Sequence, residues 1–225
     1  MNIILAAIAP VIIILTYIYF RDKYEKEPIK LLVIALVSGM LTVIPVLFVE
    51  GFIVDIGEHF DFSQRVWAFY TAFGVAAFSE EAFKFIAFLL IIWRSKEYNE
   101  RFDGIVYAVF ISLGFAFVEN VKYLMSYGTE IAFMRGVLAV PAHALFGVTM
   151  GYYFSLSKFS VLKKDKNKFF AFAIIFPIIL HGSYDFILMA DEPMGMLAFI
   201  PFIIYLWKTG FKRMHILSEN SQFNK

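Results

Sequence analysis

Residues 67–93 read WAFYTAFGVAAFSEEAFKFIAFLLIIW, an apolar run with a tryptophan at each end and Glu80, Glu81 and Lys84 at its middle. The tryptophans stand roughly 39 Å apart along a helix, the thickness of a bilayer with its headgroups, and fit an interfacial aromatic belt. A run this long and apolar reads as a membrane span. Its three ionisable side chains then lie where water is scarce, each costing roughly 2.5–3.5 kcal/mol near the bilayer centre. Charge kept at that cost marks function by default, so this stretch indicates both the fold and where the chemistry sits.

The rest of the chain extends the reading. It has 225 residues, 60% of them hydrophobic, with a mean hydropathy of +0.72, against roughly 45–50% apolar in soluble domains. Charge clusters divide it into the spans Ile3–Phe20, Leu31–Val54, Trp67–Trp93, Gly104–Tyr127, Ile131–Phe154, Phe169–Ala190 and a short seventh, Met196–Trp207. The expected fold is an all-α polytopic transmembrane bundle of about seven spans. It forms a single domain over 1–225 with a short basic tail from about residue 208, since no loop approaches the roughly 50 residues of a soluble domain. The start, MNIILAAIAPVIIILTYIYF, lacks a basic leader and runs on past Ala7-Ile8-Ala9, so it reads as a retained span. A net charge of +1 offers nothing to nucleic acid, and the absence of cysteine removes disulfides, thiolate metal sites and a thiol nucleophile.

The basic residues orient the bundle. Alternate loops hold Arg21, Lys23, Lys26 and Lys30; Arg94, Lys96 and Arg101; Lys158, Lys163, Lys164, Lys166 and Lys168; and, in the tail, Lys208, Lys212, Arg213 and Lys225. The other loops and their flanks hold Arg65, Lys122 and Arg135, with none in DEPMG. The positive-inside rule places the N-terminus outside and the C-terminus in the cytoplasm.

Counted at 1.5 Å per residue from the outer ends, Glu80 and Glu81 lie about 20 Å down, Glu119 about 12 Å, His143 about 18 Å and His181 about 14 Å, with Asp185 one turn further out than His181. Four helices thus deliver ionisable groups to one layer in the outer half. His143, Gly147 and Gly151 form a stripe ending in a GxxxG step, and Gly74, Ala77 and Glu81 form another. Small residues mark where a second helix approaches closely, so these faces point into protein, around a polar cavity enclosed by spans three to six. Arg135 reads as snorkelling to the outer interface and Asp103 as an N-cap of span four.

Adjacent carboxylates cannot both ionise cheaply in a low dielectric, which suits one of them to take a proton from water, with Lys84 holding the other as an anion. Histidines on neighbouring helices can orient the water or donate to an oxyanion. The set suits amide hydrolysis within the membrane. There is no HExxH helix, no GxSG nucleophile segment and no GxGD. Zinc held by Glu80, Glu81, Glu119, His143 and His181, or a subset, fits the available oxygen and nitrogen donors. The alternative is a proton- or cation-coupled transporter, for which intramembrane carboxylates are equally a signature.

The segments EEAFK, FDGIVYAVFISLGFAFVENVKY, VPAHALFGVTMGYY and HGSYDF, in this order, resemble the PrsW family of bacterial membrane proteases, and DKYEKEP matches its N-terminal pattern. The resemblance covers nearly the whole chain. It implies a multi-pass plasma-membrane enzyme making the site-1 cut, on the extracytoplasmic side, in a single-pass anti-sigma factor, after which a site-2 protease acts on the product and the sigma factor is released. The family is in turn similar to CAAX-type and bacteriocin-processing membrane proteases with EExxxR, FxxxH and HxxxN/B motifs. Glu80–Glu81 match the paired glutamates, with Lys84 one residue short of the basic position. Phe115–Glu119 matches FxxxH with Glu in place of His, and His181–Asp185 matches HxxxN/B. With this resemblance, Glu80 is expected as the base, Glu81 as its electrostatic partner or a second proton carrier, Lys84 as the charge balance, and His181 and Asp185 at the carbonyl or oxyanion. His143 and Glu119 complete the cavity, His143 supplying the imidazole that Glu119 does not.

Overall fold

The computed structural model describes residues 3–190 and 193–223. Among them the secondary structure is helical throughout: α1 (Ile3–Arg21), α2 (Ile29–Glu58), α3 (Gln64–Phe69), a π segment (Tyr70–Ala77) and α4 (Phe78–Ile91). Next come α5 (Asp103–Tyr127), a 3₁₀ turn (Thr129–Ile131), α6 (Ala132–Met134), a second π segment (Arg135–Ala139), α7 (Val140–Lys158), α8 (Lys163–Met189) and α9 (Pro193–Glu219). Five helical stretches are long and apolar enough to cross a membrane: α1, α2, α5, the run Thr129–Lys158 and α8. The expected third span is one continuous helical path from Gln64 to Ile91, interrupted by the π segment. The short seventh span lies inside α9, whose helix carries on through Lys208 and Arg213 to Glu219. Asp191 and Glu192 of the DEPMG loop lie outside the described residues.

α5 is the central helix, buried without a break from Asp103 to Ala116. A soluble helix would carry a polar stripe over that length; here all sides meet protein because α1, α2, α4 and α7 surround it. Small residues set the approach distances. A Cβ on Gly151 of α7 would overlap the backbone of Gly104 in α5, and one on Gly39 of α2 would overlap the carbonyl of Ile111. Gly147 packs likewise against Ala108 and Ser112 of α5, so the GxxxG stripe below His143 does mark a close helix contact. Gly74 does not: a Cβ there would meet only the Tyr70 ring at ordinary distance, because it lies in the π segment and off the expected stripe. Exposed Leu5, Ile13, Phe48, Phe52 and Leu90 form part of the outer apolar surface, as lipid contact requires.

Asp103 is the first residue of α5, and the cap position falls on Phe102 without a side-chain bond. Its Oδ2 accepts instead from the backbone N–H groups of Asn99 (2.9 Å) and Glu100 (2.6 Å), so it ties down the preceding loop.

Candidate active site

α4 begins as the first π segment ends, and its opening turns carry Glu80, Glu81 and Lys84. The carboxylates diverge by about 100°, yet an ammonium three and four residues on reaches both. Lys84 Nζ donates to Glu80 Oε2 at 3.0 Å and to Glu81 Oε1 at 2.8 Å. It lies 3.3 Å from His143 Nδ1 on α7 and 4.1 Å from the centre of the Phe115 ring on α5. His143 Nε2 lies 2.9 Å from Glu119 Oε2 on α5. From α8, His181 Nδ1 lies 3.0 Å from Glu81 Oε1 and 3.9 Å from Glu80 Oε2, while its Nε2 lies 3.3 Å from Asp185 Oδ2. Glu80, Glu81, Lys84, Glu119, His143, His181 and Asp185 thus form one connected network across four helices. Glu81 and Lys84 are fully buried, and Glu80, His143 and His181 are at most 5% exposed.

The network borders a cavity of about 410 Å³. Glu80, Glu119, His143, His181 and Asp185 line it; Glu81 and Lys84 stand behind them. Its enclosure differs from the expectation in one respect: α2 contributes Val43, Val46, Leu47 and Glu50, so spans three to six do not close it alone. Leu138, Phe146, Leu188 and Met189 complete an apolar wall beside the polar one.

Arg135 departs from its expected place at the outer interface. Its side chain is 14% exposed and donates from Nη2 to Glu119 Oε2 at 2.8 Å. Its Nε donates to Asn120 Oδ1 at 2.8 Å, and the guanidinium lies 3.9 Å from the Tyr123 ring centre. The second π segment begins at Arg135 and changes the register between it and His143, which no sequence periodicity announces. Glu50, by contrast, could have been found: it is an ionisable residue inside the expected second span, the same signal that singled out Glu80.

Among the described residues, Glu80, Glu81, His143 and His181 are the one group of three or more acidic or histidine side chains whose donor atoms all lie within 4.8 Å of one another. Glu81 Oε2 is buried without a hydrogen-bond partner, an orphan acceptor within that group. Two carboxylate oxygens and two imidazole nitrogens from three helices are the donor set and number of a zinc site, so the residues fit such an ion. Lys84 Nζ lies within hydrogen-bond distance of Glu80 and Glu81 and close to His143, so it partly neutralises the same donors.

The profile of the PrsW family intramembrane metalloproteases matches residues 27–207. The chain belongs to the PrsW family. It is similar to Protease PrsW of Oceanobacillus iheyensis, 38% identical over 224 residues and the full length of both chains. It is similar to the Bacillus subtilis Protease PrsW, 35% identical over 94% of this chain and 93% of that one, and to the Clostridioides difficile Protease PrsW, 33% identical over 99% and 94%. No solved structure matches. As a PrsW-family intramembrane protease, the chain is a multi-pass membrane peptide hydrolase whose substrates are membrane-embedded proteins. Family membership decides for the peptidase over the transporter. The metal in the family's description agrees with the Glu/His donor group.

Proposed function

We propose that residues 1–225 form one membrane-embedded protease domain that makes the site-1 cut in a single-pass anti-sigma factor, by a glutamate-activated water. The observation that carries the glutamate mechanism is the asymmetry of the pair, and the anti-sigma factor as substrate rests on the family resemblance. Glu80 lines the cavity, whereas Glu81 is sealed behind it by Lys84 and His181. Glu80 is therefore the base, able to take the proton of a water in the cavity. Glu81 stays anionic between an ammonium and an imidazole, which holds Lys84 in place and orients His181. His181 and Asp185, 3.3 Å apart through Nε2 and Oδ2 and both on the cavity wall, are assigned to bind the peptide carbonyl or the developing oxyanion. Glu119 fixes His143 from the far side. The apolar wall from α2, Leu138, Phe146 and Leu188 receives the side chains flanking the scissile bond.

A divalent ion held among Glu80, Glu81, His143 and His181 would polarise the carbonyl and acidify a bound water, with the base role kept by whichever Glu80 oxygen does not hold it. Residue counting puts the polar layer between the bilayer midplane and its outer surface, and the basic loops put the tail in the cytoplasm, which supports a cut on the extracytoplasmic side. A site-2 protease then acts on the product.

The test is cleavage of a co-expressed, tagged single-pass anti-sigma factor at matched membrane levels. Glu80→Gln and Glu81→Gln are each expected to remove the cleaved fragment while the protein still inserts. Undiminished cleavage by both would overturn the glutamate assignment.

A further inference from the structure

Glu50 is the carboxylate on the cavity wall that the polar network leaves out. Of the others, Glu80 pairs with Lys84, Glu119 with Arg135 and His143, and Asp185 with His181. Glu50 makes no hydrogen bond or ion pair with any described residue. It stands on α2 in the series Val43, Val46, Leu47, Glu50, spaced i, i+3, i+4 and i+7, so one face of that helix meets the cavity. The side chain is half-buried, and its oxygens are not among the sealed polar atoms of the described residues; they keep open surface beside the cavity.

The place is a costly one for a carboxylate without a partner. Glu50 lies about 12 Å of helix below the outer end of α2 at Glu58, a depth that its two-carbon stem does not span. Lys122 of α5 is the other charged group on the cavity wall without an ion pair, and it does not come within ion-pair distance of Glu50. Its position explains it: Lys122 is exposed, about 8 Å from the end of α5 at Tyr127, and its four-carbon stem can carry the ammonium to the outer surface. Glu50 has no such exit.

We propose that Glu50 determines specificity by receiving a lysine or arginine side chain of the substrate, borne on the outer part of the membrane segment beside the cut bond. The inference rests on the reading that the bond is cut in this cavity. A carboxylate in a low dielectric pairs best with an ammonium or guanidinium, and a basic residue in the outer half of a span is itself costly in lipid. Each therefore supplies what the other lacks. Val43, Val46 and Leu47 offer the apolar surface along which the stem of such a side chain lies. An acidic residue at the same place would meet Glu50, Glu80, Glu119 and Asp185 in one cavity, and repulsion rejects it.

The experiment co-expresses the full chain with a panel of doubly tagged single-pass proteins of one sequence. They differ in one residue at a time, set to lysine, methionine or glutamate along the outer half of the span and its outer flank. At matched membrane levels, wild type is expected to cleave lysine members at one short stretch about tenfold faster than methionine members, and glutamate members least. Glu50→Gln should remove the difference between lysine and methionine, and Glu50→Lys should favour glutamate at the same stretch. Lys122→Met should keep the preference for lysine. Indifference of wild type to charge, a preference that survives in Glu50→Gln, or one lost in Lys122→Met overturns the proposal.

Should the Glu50 variants not insert, binding decides in the Glu80→Gln chain in detergent. A fluorescent peptide of the span with lysine at each position in turn is compared with its norleucine counterpart. About tenfold tighter binding of a lysine peptide at one stretch is expected, and equal binding throughout overturns the proposal. A binding preference for lysine with no panel member cleaved by wild type would fail the cleavage reading and leave the role of Glu50 standing.

Discussion

At the scale of the residue, Arg135 links the polar network to the rim of the cavity. Glu119 Oε2 takes both Arg135 Nη2 and His143 Nε2, each within 2.9 Å, so the arginine sets where the carboxylate can hold the imidazole. Arg135→Gln leaves Glu119 with one partner in a largely dry place. Loss of an orienting partner of this kind typically costs 10–100-fold in activity, and a fall in cleavage rate of that order is expected at unchanged membrane level. Arg135→Lys keeps the charge but cannot bridge Glu119 and Asn120 together, and should recover only part of the rate. Wild-type turnover by the glutamine variant would show that Glu119 needs no second partner. Most of the cluster was legible residue by residue, because an ionisable group inside an apolar run has few innocent explanations. Arg135 was not, since a basic residue near a span's end normally snorkels, and only its tertiary partners distinguish the two cases.

At the scale of the element, the two π segments do what no heptad or stripe could have foretold. One ends three residues before Glu80 and the other four before His143, so two of the three helices that deliver the central donors change register just ahead of them, while α8 brings in His181 unbroken. Each π turn inserts an extra residue and swings the residues beyond it by about 100° relative to an unbroken α-helix. The periodicity of Gly74, Ala77 and Glu81 assumed regular α geometry, and for that reason it misplaced Gly74. Five of the seven expected spans were legible, as were the GxxxG contact and the interior facing of His143, because length, apolarity and small residues act through α5 packing in the way the sequence suggests. Deleting Val137, whose side chain is half exposed, should convert Arg135–Ala139 to regular α-helix. Arg135 would then turn away from Glu119. Cleavage is expected to fall at least as far as in Arg135→Gln, with little loss of thermal stability, and reinserting an alanine at the same place should restore it. A deletion variant that cleaves normally would mean the π turn contributes nothing to the site.

At the scale of the molecule, the chain carries two acidic clusters with opposite solutions to the same electrostatic problem. The intramembrane one contains its own cation in Lys84, whereas buried Asp22 and Glu27 between α1 and α2, with Glu100 and Asp103 at the start of α5, form a loop cluster with no ion pair among the described residues. That difference has a global consequence. Burial pushes Glu27 up to about 9, with the neighbouring Asp103 adding to it, and Asp22 up to about 7. Both lie above the ordinary carboxylate range, so between those limits the folded chain binds more protons than the unfolded one. Stability therefore falls as pH rises, through Asp22 from about 4 to 7 and through Glu27 over the whole range from about 4.5 to 9, because the slope follows the excess of protons bound in the unfolded state, here negative. In metal-free detergent solution at fixed heating rate, Tm should decline steadily from pH 5 to 9. Asp22→Asn should flatten the decline below pH 7 alone, and Glu27→Gln should flatten it throughout, most completely above pH 7. A profile that is level or rises across this range would mean that the loop carboxylates are already compensated in the folded protein, and that the fold holds this end of the bundle without help from protons.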